Sequence, residues 1–384
     1  MAAHPGAYVL SRAMRRRPIV RLPRLGVLVN DASLVREVLL DHDTYVKNGT
    51  RGAAVPVTQI FGPYALLNQD GDEHKQLRLA LRTLFTPAAV RELAATVARP
   101  LLADLRTTLE QGGRFDMVRF SQLVSGSLMS HLAGLSLEPE ELHRRAMEIH
   151  ARSRTLTTKL SIGSLELGEG ELAEAHAAFA EMVAGVDAAW DRGHEDTVPG
   201  RLRAHGVDKA GTRGVLGTLM IAGTDTTSSA IARMVALLCD TGQLTRVRAH
   251  PELLGPMVDE TFRYAAPVPV MTRTIARDTR LGGRALSTDT QMLVFVVNAL
   301  RDRRVIADGD VYDVAREMPR ELRQLWFGAG QHFCIGYAIG RRLLEETAQV
   351  LLDLPNEVRI VHRRPAAHVL LPAYAELVVE SADH

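Results

Sequence analysis

The stretch 327-FGAGQHFCIGYAIGRRLLEE-346 carries the most information about fold and function. It places Cys334, one of only two cysteines in the chain, directly before a pattern that predicts a helix over 335–352. Glycines in such a loop permit tight turns and let a flat group approach the backbone closely. The loop offers a ring able to pack over the sulfur, a turn glycine, a hydrogen-bond donor for an anion and a glycine beside the sulfur: Phe327, Gly330, His332 and Gly336. The stretch therefore predicts a binding loop built around one sulfur atom.

The chemistry of Cys334 has two interpretations. A lone free cysteine is most often a buried structural side chain. A thiol at a helix start is instead expected to have a lowered pKa, because unpaired backbone N–H groups and the helix dipole favour the thiolate. A thiolate beside a flat surface, with a donor for an acid group nearby, suits axial ligation of haem iron. The full spacing Phe-x-x-Gly-x-His-x-Cys-x-Gly favours this second interpretation.

This spacing resembles the cysteine loop of the cytochrome P-450 family, the haem-thiolate monooxygenases, in its soluble bacterial form. Three further motifs occur in the family's order, so the resemblance covers most of the chain. It implies a mainly α fold with small β-sheets, in which haem b lies between a long central helix and the helix after the cysteine loop. It also implies Cys334 as the axial ligand of the iron, and haem contacts from Phe327, Gly330, His332, Gly336 and Ala222.

The second motif, 222-AGTDTT-227, is polar although it lies in an apolar helical pattern over 210–240. Thr and Asp in mid-helix compete for backbone carbonyls, and they can open a local distortion that leaves a notch. The alternative is a regular helix with the threonine bonded to its own backbone. The resemblance implies that oxygen binds at this notch, that Asp225 and Thr226 deliver protons there, and that Ala222 flanks the groove over the haem.

The third motif, 260-ETFR-263, places Glu260 and Arg263 on one face of a helix. A solvated pair of this kind is common. A buried pair must be well hydrogen-bonded, or its desolvation costs several kcal/mol. The resemblance implies a buried network that supports the cysteine loop and takes no part in the chemistry.

The fourth motif lies in 70-DGDEHKQLRLALRTLFTP-87, where His74 and Arg78 stand four residues apart on one helical face. Taken alone, they form an ordinary charged helix face. The resemblance assigns both residues, together with Arg273 and His332, to the haem propionates. Charge-assisted hydrogen bonds from four such groups suit a cofactor with two carboxylates in an apolar slot.

The segment 301-RDRRVIADGDVYDVARE-317 departs from the family pattern, which has an Arg-Asp-Pro sequence followed by an aromatic-Asp-Pro run. Both prolines are absent here, whereas Tyr312, Asp313 and Arg316 keep the remainder of the pattern. The sequence leaves the conformation of this segment open.

Composition excludes several classes of protein. The chain has 384 residues, 46% of them hydrophobic and 24% charged, and a formal net charge of +1. This balance gives no overall field for nucleic acid, and two cysteines cannot build a disulfide framework. The N-terminal stretch lacks the apolar core of a signal peptide, and no apolar run reaches the length of a membrane span. A soluble cytoplasmic protein is expected.

The apolar spacing predicts one helix-rich domain over residues 1–384, without repeats or linkers. Helices are predicted near 31–42, 72–84, 87–110, 117–134, 139–151, 170–191, 210–240, 245–265 and 335–352. Short strands are predicted at 19–22, 26–29, 290–297, 357–361 and 368–380. Loops are predicted at 48–70 and 192–202.

The resemblance implies a monooxygenase that uses O2 and two electrons, most often for hydroxylation. No Rossmann fingerprint is evident, so electrons are expected from NAD(P)H through a ferredoxin reductase and a ferredoxin. An apolar organic substrate is expected, in secondary-metabolite biosynthesis, and the motifs do not select its chemical class. The predicted pocket consists of Leu66, Ala222, Thr227, Val268, Val270 and Met271.

Parts of the sequence are also consistent with other functions. The same haem can crosslink a peptide or aromatic substrate, and the motifs do not separate that reaction from hydroxylation. A peroxide-using enzyme and a haem-binding sensor are both disfavoured by the pair Asp225 and Thr226, because peroxide-fed members often lack it. A helical interaction protein without a cofactor would require four ordered motifs to coincide.

Overall fold

A computed structural model of the chain describes residues 5–23, 25–49, 54–135, 137–160, 166–367 and 369–381. The helices are α1 Pro5–Met14, α2 Ala32–Leu40, α3 Ala54–Phe61, α4 Gly71–Leu81, α5 Pro87–Glu110, α6 Met117–Leu132, α7 Pro139–Lys159, α8 Glu169–Met182, α9 Val186–Arg192, α10 Val198–Ala204, α11 Lys209–Thr241, α12 Gln243–Ala249, α13 Leu254–Tyr264, α14 Val296–Ala299 and α15 Tyr337–Asp353. Short 3-10 turns cover Leu66–Asn68, Arg82–Phe85, Pro251–Leu253, Leu325–Phe327 and Gly330–His332.

The strands are short, and helices surround them. They are β1 Ile19–Leu22, β2 Gly26–Val29, β3 Tyr45–Val46, β4 Arg114–Asp116, β5 Met271–Ile275, β6 Thr279–Leu281, β7 Arg284–Leu286, β8 Gln291–Val294, β9 Val358–Pro365 and β10 Tyr374–Ser381. One sheet has the order β1-β2-β8-β5-β3, with β2 and β8 parallel; a second has the order β4-β10-β9, and β6 pairs with β7. The mainly α fold with small sheets is therefore confirmed.

The 33-residue helix α11 is the centre of the packing, in contact with α6, α7, α13 and α15 among others. The Asp208 carboxylate caps its start by accepting from the Gly211 N–H, and Gly242 ends it with a φ of 64°. Gly217 lets a neighbouring ring approach closely, because a Cβ there would lie 2.4 Å from the ring of Phe179. This helix carries the second motif through the protein interior.

Several predicted elements differ from the structure. The predicted loop 48–70 contains α3 and a 3-10 turn, and residues 50–53 lie outside the described residues. The predicted helix 170–191 divides into α8 and α9 because Gly185 adopts a φ of 87°. The predicted loop 192–202 contains most of α10, and α7 extends to Lys159, beyond the predicted end at residue 151. Short helices in segments rich in Gly and Pro lack the long apolar periodicity on which the predictions relied.

The edge strand β3 positions Lys47, which lies next to the cysteine-loop site. Tyr45 pairs with Ile275 and Val46 pairs with Thr274 in antiparallel register. Lys47 follows directly after β3, and its charge interacts with that of Arg273 on β5.

None of the described helices combines the length and apolar character that a bilayer crossing requires.

Candidate active site

The cysteine loop has the tight geometry that its glycines predict. The Cys334 backbone N–H donates to the Phe327 carbonyl at 2.9 Å, closing the loop across seven residues of sequence. Gly330 adopts a φ of 65°, and a Cβ there would lie 2.9 Å from the Leu39 carbonyl oxygen. A larger residue at this position is thus disfavoured by both backbone conformation and space. The following helix, α15, begins at Tyr337 and not at Ile335 as predicted, because residues 335–336 still form a turn.

The environment of the Cys334 sulfur corrects one prediction. Burial raises the pKa of the thiol above its ordinary value, although a hydrogen bond from the Gly336 N–H and the charges of Arg78 and Lys47 lower it. The predicted net lowering of the pKa is therefore wrong for the free thiol, because desolvation outweighs the single amide and the two cations. These three groups still favour a thiolate once a metal ion binds the sulfur and removes its proton.

Aromatic rings form one wall of the loop. Phe327 packs against Phe262 at a centroid distance of 4.8 Å and lies 6.2 Å from the ring of Tyr337. Phe333 lies 5.1 Å from Tyr337. The contact between Phe327 and the sulfur stays a prediction. The rings connect α13 with α15 and fix the loop between them.

A cluster of basic side chains surrounds one carboxylate next to the loop. His332 Nε2 lies 2.7 Å from Asp70 Oδ1, and the rings of His332 and His74 have centroids 4.4 Å apart. The other oxygen, Asp70 Oδ2, accepts from the backbone N–H groups of Lys47 and Asn48 at 2.7 and 2.8 Å. Burial opposes ionisation of Asp70, but these hydrogen bonds hold its pKa below the ordinary value.

The cations of this cluster exceed its negative charge. Burial, together with Arg273 and Arg78, lowers the pKa of Lys47 to about 7, and Asp70 only partly offsets these effects. Burial also lowers the pKa of Arg273 to about 10, in a residue that is only 4% exposed. Desolvated cations without matching carboxylates are costly unless an anion joins them. The cluster therefore has the charge to receive a partner with more than one acid group.

These residues fit a haem. His74 Nδ1 is buried and has no hydrogen-bond partner among the described residues. Beside the sulfur, and leaving aside its chain neighbours, no described atom lies within 4 Å of the place where a Cβ on Gly336 would sit. A thiol, an unobstructed glycine backbone and surplus cations are the donor set that a haem with two propionates requires. Cys334 would hold the iron, and His74, Arg78, Arg273, His332 and Lys47 would face the carboxylates.

Lys47 was not identified in the sequence as a site residue. Its relation to Arg273 arises from strand pairing between segments 226 residues apart, as the register of β3 and β5 shows. A single lysine in a loop carries no local signal for such a role.

On α11 the predicted notch is absent. The helix runs without interruption from Lys209 to Thr241, and the Thr226 hydroxyl donates to the Ala222 carbonyl. The prediction of a local helix distortion is therefore wrong. The Thr226 hydroxyl bonds to the backbone of a regular helix, which was the alternative interpretation of the sequence. Ala222 and Thr226 are both partly exposed and lie one turn apart on the same face.

The Asp225 side chain points to α7, whereas the Thr226 hydroxyl bonds within α11. Its Oδ2 accepts from the Thr157 hydroxyl at 3.0 Å, and His150 Nε2 lies 3.5 Å from its Oδ1; both partners belong to α7. Burial raises the pKa of Asp225 from 3.8 to about 6. The sequence predicted neither Thr157 nor His150, since only the packing of α7 on α11 brings them to this carboxyl group.

The raised pKa gives a signed prediction for Asp225→Asn. Between about pH 4 and 6 the folded protein binds a proton at Asp225 that the unfolded chain has released, so this group lowers stability as pH rises through that window. Asparagine removes the effect while still offering an oxygen to Thr157. We expect the free energy of unfolding of the variant to exceed that of the parent by about 2–3 kcal/mol at pH 8. At pH 4 the two free energies of unfolding should be nearly equal. Urea unfolding at both pH values measures this, and an equal difference at both would refute the raised pKa.

Glu260 and Arg263 form a fully buried pair, each side chain being 0% exposed. Arg263 donates to both Glu260 oxygens at 2.6 and 2.7 Å and to the carbonyls of Leu300, Gly309 and Val311. Glu260 Oε1 also accepts from Arg316 Nε at 3.1 Å and from the Asp313 N–H at 2.9 Å.

This network fixes residues 300–316, which include most of the segment 301–317 that departs from the family pattern. Carbonyl and amide contacts to Arg263 and Glu260 determine its path in place of the prolines. Arg316 was noted in the sequence only as part of a residual pattern, and the structure places it on Glu260. The connection to the cysteine loop runs through the ring contact of Phe262 with Phe327.

The residues of the predicted pocket lie on three parts of the chain. Leu66 is buried in a 3-10 turn that packs on α11, and Thr227 is half-buried on α11. Val268 and Val270 are half-buried before β5, and Met271 reaches towards Gly328 of the cysteine loop. Their shared role in substrate binding stays a prediction.

A family model described as cytochrome P-450 matches residues 200–347. Luteothin monooxygenase of Streptomyces thioluteus is 29% identical over 333 residues, which is 83% of this chain and 80% of that protein. Cytochrome P-450-SU2 of Streptomyces griseolus is 30% identical over 301 residues, which is 77% of this chain and 70% of that protein. The crystal structure of CalO2 superposes with a TM-score of 0.83 at 24% identity and covers 98% of this chain and 96% of its own.

Proposed function

This chain belongs to the cytochrome P-450 family of oxygen-using monooxygenases, and from that premise we propose that it hydroxylates an apolar organic molecule with Cys334 as the thiolate ligand of haem b. The observation that carries the proposal is the Cys334 sulfur, which lies beside an unobstructed glycine and close to the cations Lys47 and Arg78. We also propose that the described elements form one domain.

The haem, when bound, supplies the iron at which dioxygen is reduced and split. The side chains of the protein supply the metal ligand, the cofactor contacts and the proton transfer. The sulfur of Cys334 would hold the metal and donate electron density to it. The basic cluster would bind and orient the acid groups of the cofactor. Asp225, with a pKa of about 6, can take up and release a proton near neutral pH. Ala222 and Thr226 present a partly exposed face of α11 to the reaction space.

The proposal is tested with purified protein, a ferredoxin, a ferredoxin reductase and NADPH. Candidate substrates are first screened for spectral shifts of the bound haem. A substrate that binds should then increase oxygen consumption and yield one hydroxylated product for each NADPH oxidised. Haem-loaded protein that reduces no oxygen with any binding ligand would contradict a monooxygenase.

Thr226→Ala should separate electron consumption from product formation. Loss of the hydroxyl removes a proton donor from the partly exposed face of α11, so reduced oxygen should leave as hydrogen peroxide. We expect product per NADPH to fall at least about tenfold while NADPH oxidation continues. Peroxide and product are measured together, with Thr226→Ser as the matched control that keeps the hydroxyl. Unchanged product yield in the alanine variant would remove Thr226 from proton delivery.

Lys47→Met should weaken haem binding. One charge-assisted hydrogen bond to a propionate contributes about 1.5–3 kcal/mol, so haem should dissociate about ten- to a hundredfold faster. Transfer of haem to a scavenger protein measures this rate. Lys75→Met is the control, because Lys75 is exposed and pairs with Asp72 at 3.0 Å. Equal rates in both variants would show that Lys47 does not contact the cofactor.

We propose a ferredoxin as the electron donor and NAD(P)H as the ultimate source. Two arginines that follow the cysteine loop are already paired with carboxylates, so they offer little free charge to a partner. Arg341 pairs with Asp259 and Glu345, and Arg342 with Glu346. Arg320 and Arg323 are exposed on the same part of the chain and are the better candidates for contact with an acidic partner.

A role in secondary-metabolite biosynthesis and a cytoplasmic location remain part of this proposal. Crosslinking of an aromatic substrate is the alternative outcome, and product analysis separates it from hydroxylation. Peroxide-driven turnover is disfavoured by Asp225, whose buried carboxyl group and hydroxyl partner suit proton delivery.

A further inference from the structure

Asp70 stands at the start of α4 but does not cap that helix. Aspartates also stand at the starts of α2, α6 and α11, where Asp31, Asp116 and Asp208 accept hydrogen bonds from backbone N–H groups of the first turn. The Asp70 side chain makes no such bond. It is 8% exposed and turns instead to two other parts of the chain. Helix capping therefore does not explain why a carboxylate lies here.

The two oxygens of Asp70 join segments that are distant in sequence. Oδ2 accepts from the backbone N–H groups of Lys47 and Asn48, at 2.7 and 2.8 Å, directly after β3. Oδ1 accepts from His332 Nε2 at 2.7 Å and from Gln331 Nε2 at 3.4 Å, both in the cysteine loop. One carboxylate thereby connects the end of β3, the start of α4 and the cysteine loop.

Each of these three elements carries part of the basic cluster. Lys47 follows β3, His74 and Arg78 lie on α4, and His332 lies in the cysteine loop. Burial lowers the pKa of Lys47 and His74 and neighbouring cations lower it further, while the charge of Asp70 opposes these effects. Like charges in a buried site repel one another. The segments that carry them therefore need a fixed contact until the acid groups of a cofactor arrive.

We propose that Asp70 is a positioning residue, which holds Lys47 and His332 in place to receive the acid groups of the haem without itself contacting the cofactor. The inference rests on the proposed function, because the propionates of a haem are the groups that these side chains would face. A preformed site avoids the cost of ordering three segments when the cofactor binds. Charge alone predicts the opposite effect, since a carboxylate beside two propionates repels them.

The test compares Asp70→Ala and Asp70→Asn with Asp72→Ala. The first two variants remove the same charge, but asparagine keeps the size of the side chain and one oxygen for the amides of Lys47 and Asn48. Asp72 provides the matched control, because it lies on the first turn of the same helix, is 91% exposed and pairs with Lys75 at 3.0 Å. Thermal unfolding measures whether each variant is folded, and Asp70→Asn decides the test if the alanine variant is not.

The first readout uses the haem-free protein. In Asp70→Ala the amides of Lys47 and Asn48 lose their acceptor, and we expect them to exchange hydrogen at least about tenfold faster than in the parent. In Asp70→Asn and Asp72→Ala the exchange rate should stay close to that of the parent. Mass spectrometry of fragments that contain residues 45–49 measures this rate. Equal rates in Asp70→Ala and the parent would show that Asp70 does not hold this segment, and would overturn the proposal.

The second readout is the transfer of bound haem to a scavenger protein. We expect this transfer to be at least about tenfold faster in Asp70→Ala than in the parent, and intermediate in Asp70→Asn, which keeps an oxygen for the amides after β3. The resonance Raman bands of the propionates should shift in both variants, because these bands depend on the hydrogen bonds that the propionates accept. Asp72→Ala should change neither property. Slower transfer in both Asp70 variants would mean that the residue acts through its charge alone, which contradicts a positioning role.

The two readouts separate this inference from the proposed function. A parent that takes up haem, with transfer rates and Raman bands unchanged in both Asp70 variants, would overturn the positioning role and leave the function standing. A parent that takes up no haem would overturn the proposed function and the cofactor that Asp70 is proposed to serve. The exchange rates would then still decide whether Asp70 holds the segment after β3.

Discussion

Arg263→Met should lower the free energy of unfolding by about 3–5 kcal/mol. The substitution leaves Glu260 as a fully buried carboxylate without its bidentate partner and removes the donor from three backbone carbonyls. A buried group stripped of its partner costs far more than the pair contributes in place. Urea unfolding followed by circular dichroism measures the loss.

Arg144→Met provides the control for this prediction. Arg144 pairs with Glu141 and Glu148 on the exposed face of α7, and such pairs contribute at most about 1 kcal/mol. The double variant Glu260→Gln with Arg263→Met should recover part of the loss, because it removes the unpaired charge. A loss in Arg263→Met no larger than in Arg144→Met would mean that the network does not hold residues 300–316.

Cys334→Ser should reduce product formation to the background rate while leaving the protein folded. The loop is closed by the backbone N–H of residue 334, which serine retains, so the change is confined to the sulfur. Without the sulfur, a bound haem would lose the thiolate donor that we propose for oxygen cleavage. Product formation and the thermal unfolding midpoint are measured on the same preparation.

Cys239→Ser is the matched control for the sulfur. Cys239 lies near the end of α11, where burial raises the pKa of its thiol to about 12, so it is not available as a thiolate. This variant should retain full activity. Activity that survives in Cys334→Ser, or is lost equally in Cys239→Ser, would contradict the assignment of Cys334.

The cysteine loop was predictable because its information is local. Gly330 and Gly336 lie within four residues of Cys334, and the structure uses the conformational freedom of the first and the open space beside the second. Glu260 and Arg263 were also readable as a pair, since a helix brings residues three apart onto one face.

Contacts between distant segments could not be read in this way. Lys47 reaches the basic cluster through the pairing of β3 with β5. His150 and Thr157 reach Asp225 through the packing of α7 on α11. The orientation of the Thr226 hydroxyl depended on a choice between helix distortion and bonding within the helix, which sequence alone left open.

The difference spectrum of the reduced protein under carbon monoxide tests the central claim most directly. A thiolate-ligated haem predicts a Soret band at unusually long wavelength in the parent and no such band in Cys334→Ala. Haem that loads but gives only a short-wavelength band would mean ligation by a neutral thiol or by histidine. Failure to load haem would return Cys334 to the role of a buried structural cysteine.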